Sequence, residues 1–207
     1  MRKLGVKVQG ARDPRRSDWL SVLSGAEAAQ LVEFALAMPL LVVLVVGAID
    51  FGTGWVLKDR MANAARDGAR VAVSVPNDTF NPQCSGTPCS VQSAASAAVN
   101  YLSNAGLSAC GLDPPSTSPS NVPAPYGWTY TSGNCPGTTR NMSIVVERAV
   151  TTTVTVGTTT ITVVMTRVTV NYPFKWMFGS VIKLLAPSSN YASTLTLTTQ
   201  EIMQNES

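Results

Sequence analysis

The stretch from Gly25 to Val75 constrains the rest of the chain more than any other. Between Phe34 and Ile49 there is no charged residue, and apolar side chains point all round a helix. Gln30 to Val32 before it and Phe51 to Leu57 after it, with Asp50 tolerated, leave room for a span of about 20 residues. At about 1.5 Å rise per residue, that length matches the roughly 30 Å hydrocarbon core of a bilayer. Two carboxylates interrupt the pattern, Glu33 at its start and Asp50 at its end. An acid at such depth is expensive and marks function by default. A buried core helix, or the apolar region of a secretory signal, passes the same length test. Ala62-Asn63-Ala64 resembles a cleavage site, but it lies beyond Lys58, Asp59 and Arg60. That is too far downstream for an ordinary signal and favours a retained membrane helix.

The flanks orient the span. Residues 1–24 carry Arg2, Lys3, Lys7, Arg12, Arg15 and Arg16 against Asp13 and Asp18. Under the positive-inside rule this leader stays cytoplasmic and the rest of the chain lies outside. Lys58, Arg60, Arg66 and Arg70 beyond the other end make the bias modest. All four cysteines (Cys84, Cys89, Cys110 and Cys135) follow the apolar stretch, so an external location makes them disulfides. Of the three possible pairings, closeness in sequence favours Cys84 with Cys89 and Cys110 with Cys135. A four-thiolate zinc site competes, although the spacings do not repeat a CxxC knuckle.

Composition narrows the chemistry. Only 13% of the 207 residues are charged, and the net charge is +3, with no basic surface interleaved with aromatics. Nucleic acid is therefore not an expected partner. The chain has no histidine, which removes imidazole ligands and His-activated nucleophiles. There is no G-x-S-x-G, no H-E-x-x-H and no recognisable carboxylate pair, so neither an enzyme nor a cofactor is expected.

After Val56, the residues Leu57, Met61, Ala64, Ala65, Gly68, Ala69 and Ala72 recur at three- and four-residue steps. This predicts an amphipathic continuation of the helix, its small apolar face packed on its own domain and Pro76 ending it. Val91 to Asn104 reads as a short Ala-rich helix with Ser90 as N-cap and Gly106 near its end. The Pro- and Ser-rich residues 111–127 read as loop. Residues 143–156 and 159–172 read as strands joined by a Gly157-Thr158 turn, with a β-bulge near Val163-Val164 and Pro173 as a stop. Phe174 to Ala186 is a short helix or an interfacial loop, in which Trp176 and Phe178 suit either a membrane interface or the core. Residues 190–203 add a strand. The expected organisation is a leader at 1–28, a transmembrane helix continuing as an amphipathic one at 29–75, a loop-rich cysteine region with a short helix at 76–142, and an antiparallel β region at 143–207. The fold class is α+β, a long N-terminal helix with a sheet of three or four strands.

Four motifs carry a resemblance: Val32-Glu33-Phe34-Ala35-Leu36, Pro39, Ile49-Asp50-Phe51-Gly52, and Asn63 to Arg70. Together they resemble the TadE/TadG-like pseudopilins of tight-adherence (Flp-type) pilus systems, and Val168 to Phe174 resembles that family's C-terminal part. The resemblance implies a pilin-like external domain on a single-pass inner-membrane anchor with a cytoplasmic N-terminus. It implies related pilin-like subunits and pilus assembly proteins as partners, with packing through Glu33, Phe34 and Pro39. It also implies a prepilin peptidase that makes Glu33 the fifth mature residue, cutting between Ala28 and Ala29. Ala28 stands where the family has Gly, and Gly25 is three residues too early. The leader is then cut at Ala28, cut elsewhere, or kept as an anchor. Cut, Glu33 lies one turn from a new amine and pairs with it in its own or a neighbouring subunit. Uncut, it snorkels to the interface. Asp50 is expected to be solvated or paired with Lys58 or Arg60. The competing assignment is a bitopic envelope protein whose disulfide-bonded external domain binds a ligand or surface, unrelated to a filament.

Overall fold

A computed structural model describes residues 26–74, 83–84, 87–112, 120–122, 126–179, 187–188 and 194–205. The leader up to residue 25, the Pro76 stop and most of the expected 111–127 loop lie outside them, as do residues 180–186 of the Phe174–Ala186 segment. Two units divide the chain, 1–47 and 48–207.

One helix, α1 (Ala26–Val73), runs through both motif regions and includes Pro39. In the first unit, its side chains from Ala29 to Gly47 are exposed or only partly covered. It is long and apolar enough to cross a membrane, and its most apolar window has no residue buried.

The second unit is built on a five-stranded antiparallel sheet. After the two-residue strands β1 (Gln83–Cys84) and β2 (Thr87–Pro88) comes helix α2 (Cys89–Asn104). The sheet follows in the order β3 (Ser120–Val122), β4 (Gly127–Asn134), β5 (Asn141–Val156), β6 (Thr159–Phe174) and β7 (Leu195–Gln204). An α+β architecture with an antiparallel sheet is what the pattern predicts. The sheet nevertheless starts before residue 143 and has more strands than expected. Gly127–Asn134 alternates Trp128, Tyr130 and Ser132 on one side and pairs with β5, which turns a loop-like composition into strand.

The core lies between the helices and one sheet face. Met61, Ala64, Ala65, Ala69 and Ala72 of α1 are fully buried with Val91, Ala94, Ala95, Ala98, Val99 and Leu102 of α2. The sheet supplies Tyr130, Met142, Ile144, Val146, Val168 and Val170. Burying a Met, Leu, Val or Ile side chain is worth about 1.5–3 kcal/mol, so this face, not helix propensity, holds the second unit together.

Local chemistry departs from expectation in three places. Pro88, not Ser90, occupies the N-cap of α2, and no side chain caps it. Ser90 Oγ instead accepts a hydrogen bond from Arg148 Nη1. At the other end Gly106, at φ 78°, closes a Schellman motif, with Leu107 N–H on the Leu102 carbonyl and Gly106 N–H on that of Ser103. The bulge lies on β5 rather than β6. Register slips between Glu147 and Val150, where Arg148 and Ala149 oppose Thr166 and Ala149 has φ 58°. The extra residue shifts the alternation of β5 alone; β6 alternates without interruption, and its apolar residues simply change face, from Ile161 and Val163 to Val164, Val168 and Val170. Pro173 does not stop β6. The β5 ladder has ended at Asn171, and β7 carries the strand to Phe174. Gly157-Thr158 forms the two-residue turn, Gly157 at φ 66°.

Candidate functional site

Glu33, Phe34 and Pro39 all lie on the exposed first part of α1. Phe34 is 63% exposed, and Leu31, Leu36, Leu40, Leu41 and Leu44 are as open. Water does not support such a surface on a monomer, and hydrocarbon does. The expected Ala28–Ala29 bond lies in helical backbone, because α1 already starts at Ala26.

Asp50 behaves otherwise than expected. It is fully buried rather than solvated. Its Oδ1 accepts the N–H of Met177 at 3.1 Å, and its Oδ2 that of Phe178 at 3.2 Å. Just past the end of β6 the backbone needs acceptors, and the two oxygens of one carboxyl group satisfy two donors at once. Arg60 is likewise engaged elsewhere. Its Nη1 donates to the Ala105 carbonyl at 2.9 Å, capping the C-terminal end of α2.

Around Asp50, aromatic side chains gather. Phe51 and Trp55 are 66% and 67% exposed, with ring centroids 6.4 Å apart. Trp176 packs edge-on to Phe174 at 5.0 Å and lies against the core, while neighbouring Met177 is exposed. Exposed aromatics directly after an apolar span are the pattern of a membrane–water boundary. Beside them an open groove of about 510 Å³ is lined mainly by Ile49, Gly52, Val56, Leu57 and Phe174.

The Asn63–Arg70 motif has a packing explanation. A Cβ on Gly68 would lie 2.9 Å from the Ala94 carbonyl oxygen and 3.4 Å from both Ala98 and Val168. Glycine therefore lets α1 approach α2 and β6 more closely than any side chain would. Arg66 faces outward and meets Glu201 of β7 at 3.4 Å, an exposed pair of small energetic value.

The cysteines are joined as Cys84–Cys89 and Cys110–Cys135. Cys110 and Cys135 are both buried, tying the segment after α2 to the end of β4. One further charged group was not singled out from the sequence. Arg148, 2% exposed, sits on the bulge, and burial lowers its pKa from the ordinary value. Its position on the core-facing alternation after Met142, Ile144 and Val146 was the available signal.

No curated protein and no solved structure matches the chain. Residues 28–70 match the family model described as TadE-like protein. That match covers the exposed helix, the Asp50 turn and the Gly68 packing motif together. Over residues 28–70 the chain is thus similar to TadE-like proteins, and the same stretch holds a helix long and apolar enough to cross a membrane.

Proposed function

We propose that the chain is a non-enzymatic, pseudopilin-like component of tight-adherence pilus assembly, held in the inner membrane with its N-terminus cytoplasmic. The observation that carries this reading is the coincidence of the TadE-like match with an unburied apolar helix bearing Glu33, Phe34 and Pro39. The helix acts by packing against related subunits in the bilayer. Glu33 fixes the stagger by pairing with an amine, which neutralises both charges where solvation is poor. The organisation is a leader to residue 28, the anchor, and an external disulfide-bonded domain. A prepilin peptidase acting between Ala28 and Ala29 supplies that amine.

A photo-crosslinking residue in place of Phe34, in native membranes, tests the packing role. Capture of a second pilin-like subunit is expected. Crosslinks to lipid alone would sink the packing role and leave a solitary anchor.

A further inference from the structure

The outer half of the β5–β6 hairpin leaves the core. β4 pairs with β5 only as far as Glu147, and the bulge at Arg148–Ala149 ends that ladder. β7 pairs with β6 from Met165 onward, with one further bond from Asn205 N–H to the Val164 carbonyl. Beyond these points, β5 from Val150 to Val156 has no neighbour but β6 among the described strands. Register sorts the ribbon into an apolar face with Val154 (46% exposed) and Ile161 (52%) and a threonine face with Thr151, Thr153 and Thr155.

From Ala149 to Thr166 there is no charged residue and no proline. Native edge strands are normally guarded by lysine, proline or inward charge, because a row of open N–H and C=O groups templates another strand. This ribbon has β-branched residues and open backbone but none of those guards. We infer that the β5 edge, Val150 to Val156, pairs antiparallel with the same edge of a second copy. The absence of charge argues for that occupant. A strand meeting its own copy in two-fold register sets each side chain near its like, which is penalised for charges and favourable for Thr opposite Thr. Centred on Thr153, the pairing places Thr153 across from its counterpart and joins two hairpins into one four-stranded ribbon.

The test uses the full chain in native membranes, with carbonate extraction run in parallel so that failure of the membrane reading shows separately. Thr153→Cys is oxidised and compared with Thr162→Cys, which lies on the β6 side. Opposed residues in an antiparallel pair lie about 4.5–5.5 Å apart between Cα atoms, within disulfide reach. Several-fold more dimer of twice the chain mass is expected for Thr153→Cys, abolished by adding Thr151→Lys and Thr155→Lys. Equal dimer from both cysteines, no dimer, or a crosslink to a chain of another mass would overturn the pairing. Protease resistance of each variant shows that the domain is intact.

Discussion

Two parts of one helix behave as though written for different solvents. From Ala29 to Gly47, α1 shows apolar side chains in every direction and buries none of its most apolar window. From Leu57 to Ala72 it buries a narrow stripe of small residues and turns Lys58, Arg66 and Arg70 outward. Among the described residues nothing covers the first part, which is the surface a lipid-facing helix presents. The second is an ordinary core helix. The change occurs at Asp50, which marks the end of the span and ties the helix to the backbone after β6. A single helix can thus carry an apolar-span signal and a folding signal in series, separated by about three turns.

Substitutions separate the two halves. Leu44→Arg, in the middle of the exposed run, is expected to disfavour insertion by about 2.5–3.5 kcal/mol, roughly a hundredfold loss of membrane-bound protein after carbonate extraction. The stability of the second unit should not change. If the protein stays fully membrane-bound, the contrast between the halves is wrong.

Asp50→Ala tests the junction. It removes the acceptor of two N–H groups, each worth about 1–3 kcal/mol when left buried and unmade. Faster tryptic cleavage after Lys175 is expected, with Asp50→Asn intermediate. Cleavage unchanged in both variants would show that the carboxylate does not hold this segment.

Glycine substitutions sharpen the contrast further along. Gly68→Ala places a methyl group against the Ala94 carbonyl, and an overpacking cost of about 1–3 kcal/mol outweighs the gain in helix propensity. Gly52→Ala meets nothing within 4 Å and should stabilise by up to about 1 kcal/mol. Opposite shifts of the thermal midpoint are expected, and shifts of the same sign would refute the close approach at Gly68.

The smallest effect at neutral pH belongs to the core tyrosines. Burial raises the pKa of Tyr130 and Tyr172 above the ordinary 10.0, and in Tyr172 a hydrogen bond to the Ser108 carbonyl opposes the rise. The unfolded chain therefore loses these protons first. Their contribution is complete below about pH 10 and falls as pH rises through the folded values, by at most about 1.4 kcal/mol per unit for each tyrosine. Denaturant midpoints that stay flat between pH 9 and 11 would show that neither ring is held protonated.

Local periodicity made much of this legible. The stripe from Leu57 to Ala72, the Ala-rich helix and the Gly157-Thr158 turn depend on neighbours within a few residues. What was hidden depends on distance in sequence. Asp50 reads as an exposed acid until the backbone of Met177, far along the chain, is brought beside it. Ser90 has the chemistry of a cap, but a buried guanidinium from β5 claims its hydroxyl. In β6 the apolar residues change face without any extra residue, whereas the real bulge lies in β5, because a change of apolar face and an inserted residue look alike in one strand's pattern. In the site, the motif residues were all nameable from sequence. Their division into an all-round apolar half and a core-packed half was legible too, whereas the partners of Asp50 and the close approach at Gly68 needed the fold.

The most direct measurement is the intact mass and N-terminal sequence of the protein from its native membrane. The account predicts a chain that keeps the whole apolar run, starting at Ala29 if a pilin-type peptidase has acted and at Met1 or just after it if not. A start near Ala65 would contradict it, because the apolar half of α1 would then be a discarded signal rather than an anchor.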